Sequence, residues 1–314
     1  MQATLLKPVA RQKKAHHYVI KLMGCRFVFT AIHEDPQVAW DGIRAGVAET
    51  ERIENLISSW KDDSSTSRIN AMAGVAPVEV EQELFDLIKR SQQLSKITKG
   101  AFDISGTLSR YYWKFDGKES IMPSPEKLEE LRRLGNYHHI ILDEERRTVF
   151  LKEKGMKIGF GAIGKGYAAV RAKMVMQNIG VESGLVNAAG DLLCWGQPLA
   201  DKPWSVKISD PEAPERALAE FSIPHGSVVT SGGYEKFALV NGKKYSHIID
   251  PRTGWPVEGL KSVSIICPNP ELGDALATAV TVLGQEEGLA LISQLKGVEC
   301  LLVNNNNELI YSKK

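Results

Sequence analysis

The sequence has little excess charge of either sign: 39 Lys and Arg stand against 38 Asp and Glu in 314 residues, a formal net of +1. A chain so balanced carries no broad field to draw nucleic acid or an anionic membrane toward it, so any basic site must be local. Cysteine is scarce. Cys25, Cys194, Cys267 and Cys300 include no CxxC pair, which argues against structural zinc, an iron–sulfur cluster or a disulfide framework and leaves the four as core thiols. No stretch approaches the roughly 20 apolar residues that span a bilayer. Met1 to His17 carries Lys7, Arg11, Lys13 and Lys14 but no apolar run, so it is not a signal peptide by pattern.

What is present is enough hydrophobic residue, 43%, for a substantial core. Residues 1–17 read as a basic tail and 18–314 as the folded part, in one domain or two intimately packed subdomains. Tyr18 to Ile32 reads as two extended pieces around a kink or bulge at Met23-Gly24-Cys25. Ile43, Val47, Ile53 and Ile57 recur at helical spacing within Val38 to Ser58, and Leu84, Leu87, Ile88, Ser91 and Leu94 do the same. Ser124-Pro125 opens a third helix that ends at Gly135. His139 to Leu142 and Thr148 to Leu151 form an expected hairpin, followed by a helix from Gly166 to Gly180.

Beyond Gly180 the chain reads mainly as strands: Leu185 to Ala188, Trp204 to Ser209, Phe237 to Val240, Tyr245 to Ile249 and Val263 to Cys267. Asn241-Gly242 supplies a hairpin turn between two of them. Asp274 to Leu283 and Glu286 to Leu295 read as two short helices, and Leu301 to Val303 with Leu309 to Tyr311 close the chain around Asn304 to Asn307. Without regular alternation of strand and helix, the fold class is α+β with a largely antiparallel sheet.

Several segments have the residue types that chemistry requires. Gly159 to Gly166 reads as running from a strand into a helix, leaving backbone N–H groups free and adding one cation, Lys165. Such a loop is either an anion cradle or a plain tight turn. It departs from G-x-x-x-x-G-K-S/T because Gly166 stands where a hydroxyl would hold magnesium. Asp274 and Thr278, four apart on one helix face, are hard oxygen donors suited to magnesium, or else a cap and an inward-facing threonine. In His247-Ile248-Ile249-Asp250-Pro251-Arg252-Thr253-Gly254, turn chemistry accounts for Asp250, Pro251 and Gly254 but leaves His247 as a core imidazole or a proton carrier. Gly100 to Ser105 ends a helix, Thr230-Ser231-Gly232-Gly233-Tyr234 reads as a tight polar turn, and Trp60 lies beside the polar stretch Ser67-Arg68-Ile69-Asn70, available to stack on a planar ring.

Taken in order, these segments resemble the ApbE family of flavin transferases over nearly the whole chain past its N-terminus. That resemblance implies an α+β fold, FAD as substrate, Mg2+ as cofactor, and transfer of FMN to a Thr or Ser hydroxyl of an acceptor flavoprotein with release of AMP. The implied acceptor is a redox-complex subunit or a flavin-dependent reductase. Met23, Trp60, Ala101, Phe102 and Asp103 match flavin-contacting positions, with Lys165, Ser231 and His247-Ile248-Ile249 completing the pocket. The Ala162 carbonyl with Asp274 and Thr278 matches the metal site, and His247, Asp250 and Lys165 are the candidates nearest the reacting phosphate. Gly159 and Val170 stand where relatives often carry Asp, and Ala189 replaces a frequent Gly. Two other functions use the same pocket: an FAD pyrophosphatase with water as acceptor, and a protein that binds FAD without cleaving it. The chain is expected in the cytoplasm if it begins at Met1, and in the periplasm or on a membrane anchor if a leader precedes it.

Overall fold

The computed structural model describes residues 12–108, 113, 115–119, 121–199, 203–210, 213, 215–232 and 237–312. The chain opens with a hairpin, β1 (Lys14–Leu22) and β2 (Cys25–His33), turning at Met23-Gly24 with φ of 50° and 74°. Paired left-handed residues give the twist that two-residue hairpins favour. The strand therefore takes in Lys14 to His17, which the sequence reading assigned to the tail.

Helices α1 (Pro36–Ile57), α2 (Ser65–Ala71) and α3 (Gln82–Ile97) follow, with β3 (Val78–Glu79) between the last two. Next come α4 (Pro125–Leu134), β4 (Ile140–Asp143), β5 (Thr148–Leu151), α5 (Gly164–Ile179), β6 (Ser183–Ala188) and β7 (Asp191–Trp195). The C-terminal part holds β8 (Trp204–Ser209), β9 (Ala217–Ile223), β10 (Gly226–Gly232), β11 (Phe237–Val240), β12 (Lys243–Ser246), β13 (Ile249–Asp250), β14 (Trp255–Pro256) and β15 (Leu260–Cys267). Helix α6 (Pro270–Ile292) and strands β16 (Glu299–Asn304) and β17 (Leu309–Tyr311) end it.

Local chemistry explains the helix starts. Asp35, Ser64, Ser124 and Asn269 each accept a hydrogen bond from a first-turn N–H, and in three of the four a proline follows at once. The Ser67 to Asn70 stretch read as loop is thus the helix α2, too short for periodicity to show. The two helices expected after Asp274 are one element broken at Gly284, whose φ of 77° and ψ of −175° are not helical. By length and composition this helix could cross a membrane, with a mean hydropathy of 1.3 in its most apolar window. Its packing accounts for that composition: Leu276, Ala277 and Val280 are buried against Val263, Ile265 and Leu302 of the sheet.

The main sheet has the antiparallel order β1-β2-β6-β7-β10-β15-β16-β17, giving the α+β class expected. Neighbouring residues of a strand face opposite ways, and the cores divide accordingly. Leu193, Val229 and Leu302 meet the helices, while Cys194, Val228 and Leu301 meet Val206, Ile208 and Ile223 of the β8–β9 hairpin. Asp191 shares the parity of Leu193, and Ser231 that of Val229, so both belong to the helix face. A further core around Leu84, Phe102 and Val149 also takes in Ala168 of α5 and Ala275 of α6.

The helices approach closely where side chains are absent. A Cβ on Gly46 of α1 would lie 3.1 Å from Met176 of α5 and 3.3 Å from Phe29 of β2. One on Gly166 would collide with the Pro270 carbonyl and sit 2.8 Å from Glu271 N. The first turn of α5 is therefore pressed against the first turn of α6. Gly166→Ala is expected to cost about 1–3 kcal/mol through overpacking, read by chemical denaturation; wild-type stability would mean that the two helices part freely.

Candidate active site

Three elements from distant parts of the chain converge on one ammonium group. Lys165, in the first turn of α5, places Nζ 3.0 Å from Asp191 Oδ2 at the head of β7. The same nitrogen lies 3.2 Å from each carboxylate oxygen of Asp274, in the second turn of α6. The Gly166 N–H also points at Asp274 Oδ2, at 3.4 Å. Both aspartates are 2% exposed.

Burial and charge then set the protonation. Burial alone would lower the Lys165 ammonium, but Asp191 and Asp274 override it and hold the group charged well above its ordinary range. Burial pushes Asp191 up to about 7, Lys165 pulling it down and Asp274 pushing further up. With both carboxylates ionised, two negative charges share one positive charge.

The surrounding segments are tied to this centre in sequence order. Met23, at the tip of the first hairpin, brings its methyl group to within 3.5 Å of where a Cβ on Gly164 would stand. Asn70 of α2 donates to the Ile158 carbonyl at 3.0 Å and accepts from its N–H at 2.8 Å, fixing the entry to the loop. The Gly159 N–H donates to the Ile104 carbonyl at 2.9 Å. Gly159, Gly161 and Gly164 have the spacing G-x-G-x-x-G, but the segment before them is not a strand of a parallel sheet, so the dinucleotide-fold context is missing.

Other expected site residues sit differently. Ala101 and Phe102 are 1% exposed with side chains in the core, so only their backbone can meet a ligand, and the Phe102 N–H already donates to Thr98 Oγ1 at 3.1 Å. Asp103 accepts from the Ser105 N–H and hydroxyl at 2.8 and 2.6 Å and from the Tyr137 N–H at 2.8 Å. Burial raises its pKa, those hydrogen bonds opposing. Trp60 is 69% exposed, presenting an open ring. Ala162 is half-buried in the turn before α5, and half-buried Thr278 follows Asp274 by one helical turn.

His247 and Ile248 lie between strands, because β12 ends at Ser246; the expected strand through Ile249 is interrupted there. His247 is half-buried, its ring edge-on to Phe115 at 6.4 Å, and Ile248 is 7% exposed. Asp250 engages Arg252 through both oxygens, at 2.9 and 3.2 Å from Nε and 2.9 Å from Nη2. Thr230 to Gly232 are strand rather than turn, while Gly233 and Tyr234 lie outside the described residues. A surface cavity of about 680 Å³ adjoins Asp103, Pro251 and Arg252 without reaching Lys165. Its arginines are already paired, Arg132 with Glu129, Arg133 with Glu153 and Arg252 with Asp250.

Asp191 is the site residue that sequence reasoning passed over. A signal existed: an acidic residue directly before Leu192-Leu193-Cys194-Trp195 heads a strand with no polar neighbour, and a carboxylate buried there requires a cation. The preceding turn uses Ala189 at φ 54° and Gly190 at φ 100°, so Ala189 holds the left-handed conformation that glycine takes without strain.

Behind the centre, α5 is held by charge. Glu83 of α3 accepts from Tyr167 Oη at 2.6 Å and from Arg52 at 2.9 Å, and Glu49 of α1 accepts from Arg52 at 2.8 Å and Arg171 at 2.9 Å. Arg90 pairs with Glu271 at 2.6 Å, joining α3 to α6.

The ApbE family profile matches residues 23–302. A Klebsiella pneumoniae (strain 342) protein named FAD:protein FMN transferase is 32% identical over 265 residues, 83% of this chain and 82% of its own length. One of the same name from Treponema pallidum (strain Nichols) is 33% identical over 268 residues, 81% of this chain and 74% of its own. The crystal structure of the ApbE protein from Thermotoga maritima superposes with a TM-score of 0.88 at 28% identity, covering 96% of this chain and 97% of that one. The apo Pseudomonas stutzeri flavinyl transferase ApbE gives 0.84 at 25% identity, covering 96% and 95%.

The network behind α5 makes a prediction about acid. Hydrogen bonds from Arg52, with burial opposing, hold Glu49 below the usual 4.5. For Glu83 burial pushes upward, but hydrogen bonds from Arg52 and Tyr167 prevail and hold it below 4.5 as well. A lowered carboxyl contributes stability above its unfolded value that is lost as pH falls through its folded value. The melting temperature should therefore drop on acidification below pH 4.5, and more shallowly in Glu83→Gln. Parallel pH profiles for the two proteins would remove Glu83 from this role.

Proposed function

Because the chain belongs to the ApbE family, we propose that it is an FAD:protein FMN transferase, moving FMN from FAD to a Thr or Ser hydroxyl of an acceptor flavoprotein and releasing AMP. The observation that carries this reading is the meeting of Lys165, Asp274 and the α5 N-terminus at one centre, in a chain whose relatives bear that activity in their names. The acceptor is a redox-complex subunit or a flavin-dependent reductase.

Magnesium fits the residues present. Asp274, Thr278 and the Ala162 carbonyl are hard oxygen donors, and the buried Asp274 carboxylate already faces a cation, the Lys165 ammonium. When bound there, magnesium supplies Lewis-acid neutralisation of pyrophosphate oxygens. It is needed: a helix N-terminus contributes only about 0.3–1 kcal/mol, whereas enzymes remove about 8–23 kcal/mol of barrier. Lys165 adds a permanent positive charge beside the start of α5, where the helix dipole favours an anion. Trp60 offers its exposed ring to the flavin or adenine plane.

The bond formed joins the acceptor oxygen to the FMN phosphorus, and the bond broken releases AMP. A base must take the hydroxyl proton. His247 is the residue we assign, since both oxygens of Asp250 are engaged by Arg252. His247→Ala should slow transfer by about 10²–10⁴-fold, with a smaller loss in Asp250→Asn; wild-type transfer rates in both variants would remove this segment from the chemistry.

Asp274→Ala leaves Lys165 and Asp191 as a neutral pair, so the fold should persist while magnesium-dependent turnover falls by about 10²-fold or more. Undiminished turnover would refute the metal assignment. Incubation with FAD and magnesium followed by chromatography should yield AMP, and an acceptor protein should gain the mass of one FMN. AMP without any mass gain would replace the transferase with a pyrophosphatase, and no AMP would leave only FAD binding.

A further inference from the structure

We propose that Asp191 is a positioning residue for metal binding: it retains the Lys165 ammonium so that Asp274 is released to a divalent cation. The proposal rests on the metal-dependent reading above. Its starting point is that one ammonium is shared. Lys165 Nζ lies 3.0 Å from Asp191 and 3.2 Å from both oxygens of Asp274, so Asp274 is occupied along its whole carboxylate edge.

A metal ion cannot take those oxygens while the ammonium stays on them, because two cations would then share one carboxylate in a buried site where charge is poorly screened. Expelling Lys165 would leave Asp191 buried and unpaired, which is costly. Asp191 resolves both problems. Its Oδ2 lies 3.0 Å from this ammonium, the one cation that the described structure sets against it, while the Thr230 N–H donates to the same carboxylate, and a lysine on a flexible four-carbon stem can move from a shared position to a single partner. Lys165 with Asp191 then forms a neutral pair, and Asp274 is free to bind the ion with Thr278. This carboxylate stands at the head of β7, where Leu193 to Trp195 are buried and apolar.

The test is a calorimetric Mg2+ titration of the full chain as wild type, Asp191→Asn, Lys165→Met and the double variant, with Asp274→Ala as the reference for binding at this site. Asp191→Asn should weaken Mg2+ binding by about tenfold when Lys165 is present and by less than about twofold when it is Met, since the coupling runs through the lysine. Equal weakening in both backgrounds would make Asp191 a direct ligand or a general attractor of cations, and would overturn the proposal, as would no weakening at all. Amine acetylation followed by mass spectrometry gives a second measurement on folded protein. Lys165 should stay slow to acetylate in the wild type with or without Mg2+, and become fast in Asp191→Asn only when Mg2+ is added; identical rates in the two proteins contradict it. A wild type that binds no Mg2+, or an Asp274→Ala variant that binds it normally, would sink the metal site itself and this inference with it.

Discussion

The structure turns on the bridge that Lys165 makes between Asp191 and Asp274. Each partner comes from a different element, and none of the three could be buried alone without a large penalty. Their mutual attraction is what allows a polar centre to sit where the α5 and α6 N-termini meet the sheet. The packing supports it from every side: Gly166 admits the Pro270 carbonyl, Gly273 fits beside Val229 and Cys267, and Asn269 caps the helix that carries Asp274.

A second layer of charge keeps this centre in place. Arg90, held to Glu271 and lying 5.7 Å from the Tyr167 ring centroid, touches both helices that carry the site. Glu83 and Glu49 reach the same α5 helix from α3 and α1. The loop therefore rests on a base fixed by four helices.

Elements that announce themselves locally were legible in the sequence. The hairpin turn at Asn241-Gly242, the Ser124-Pro125 helix start and the Gly180 helix stop all depend on residues adjacent in the chain, whereas Met23-Gly24, read as a kink or bulge, is a hairpin turn. Strand β7 was not legible, because Asp191 follows a turn whose left-handed position holds Ala189 in place of the glycine that would have marked it. Strand β10 was hidden by small polar residues, Thr230-Ser231-Gly232, that read as a turn but pair with Ser262 to Ser264 of β15. For the site, the residue types of Lys165 and Asp274 could be read, whereas Asp191, the second partner of Lys165, depends on tertiary contact between α5 and β7. Ala101 and Phe102 show the reverse case: the sequence marks the segment, but the side chains lie in the core.

The sheet order has a bearing on how the protein comes to be made. Strand β2 pairs with β6, Phe27 opposite Ala188, so about half the chain separates the two sides of that ladder. At ribosomal speed the N-terminal hairpin waits on the order of ten seconds or more for its neighbour to emerge. Throughout that interval β2 presents an unpaired edge with Phe27, Phe29 and Ala31 on one face, the kind of surface on which newly made chains stick to one another. Helix α1, next in the chain and packed on β2 through Ile43 and Gly46, is the first element able to cover that face, which gives it the part of an internal chaperone during synthesis.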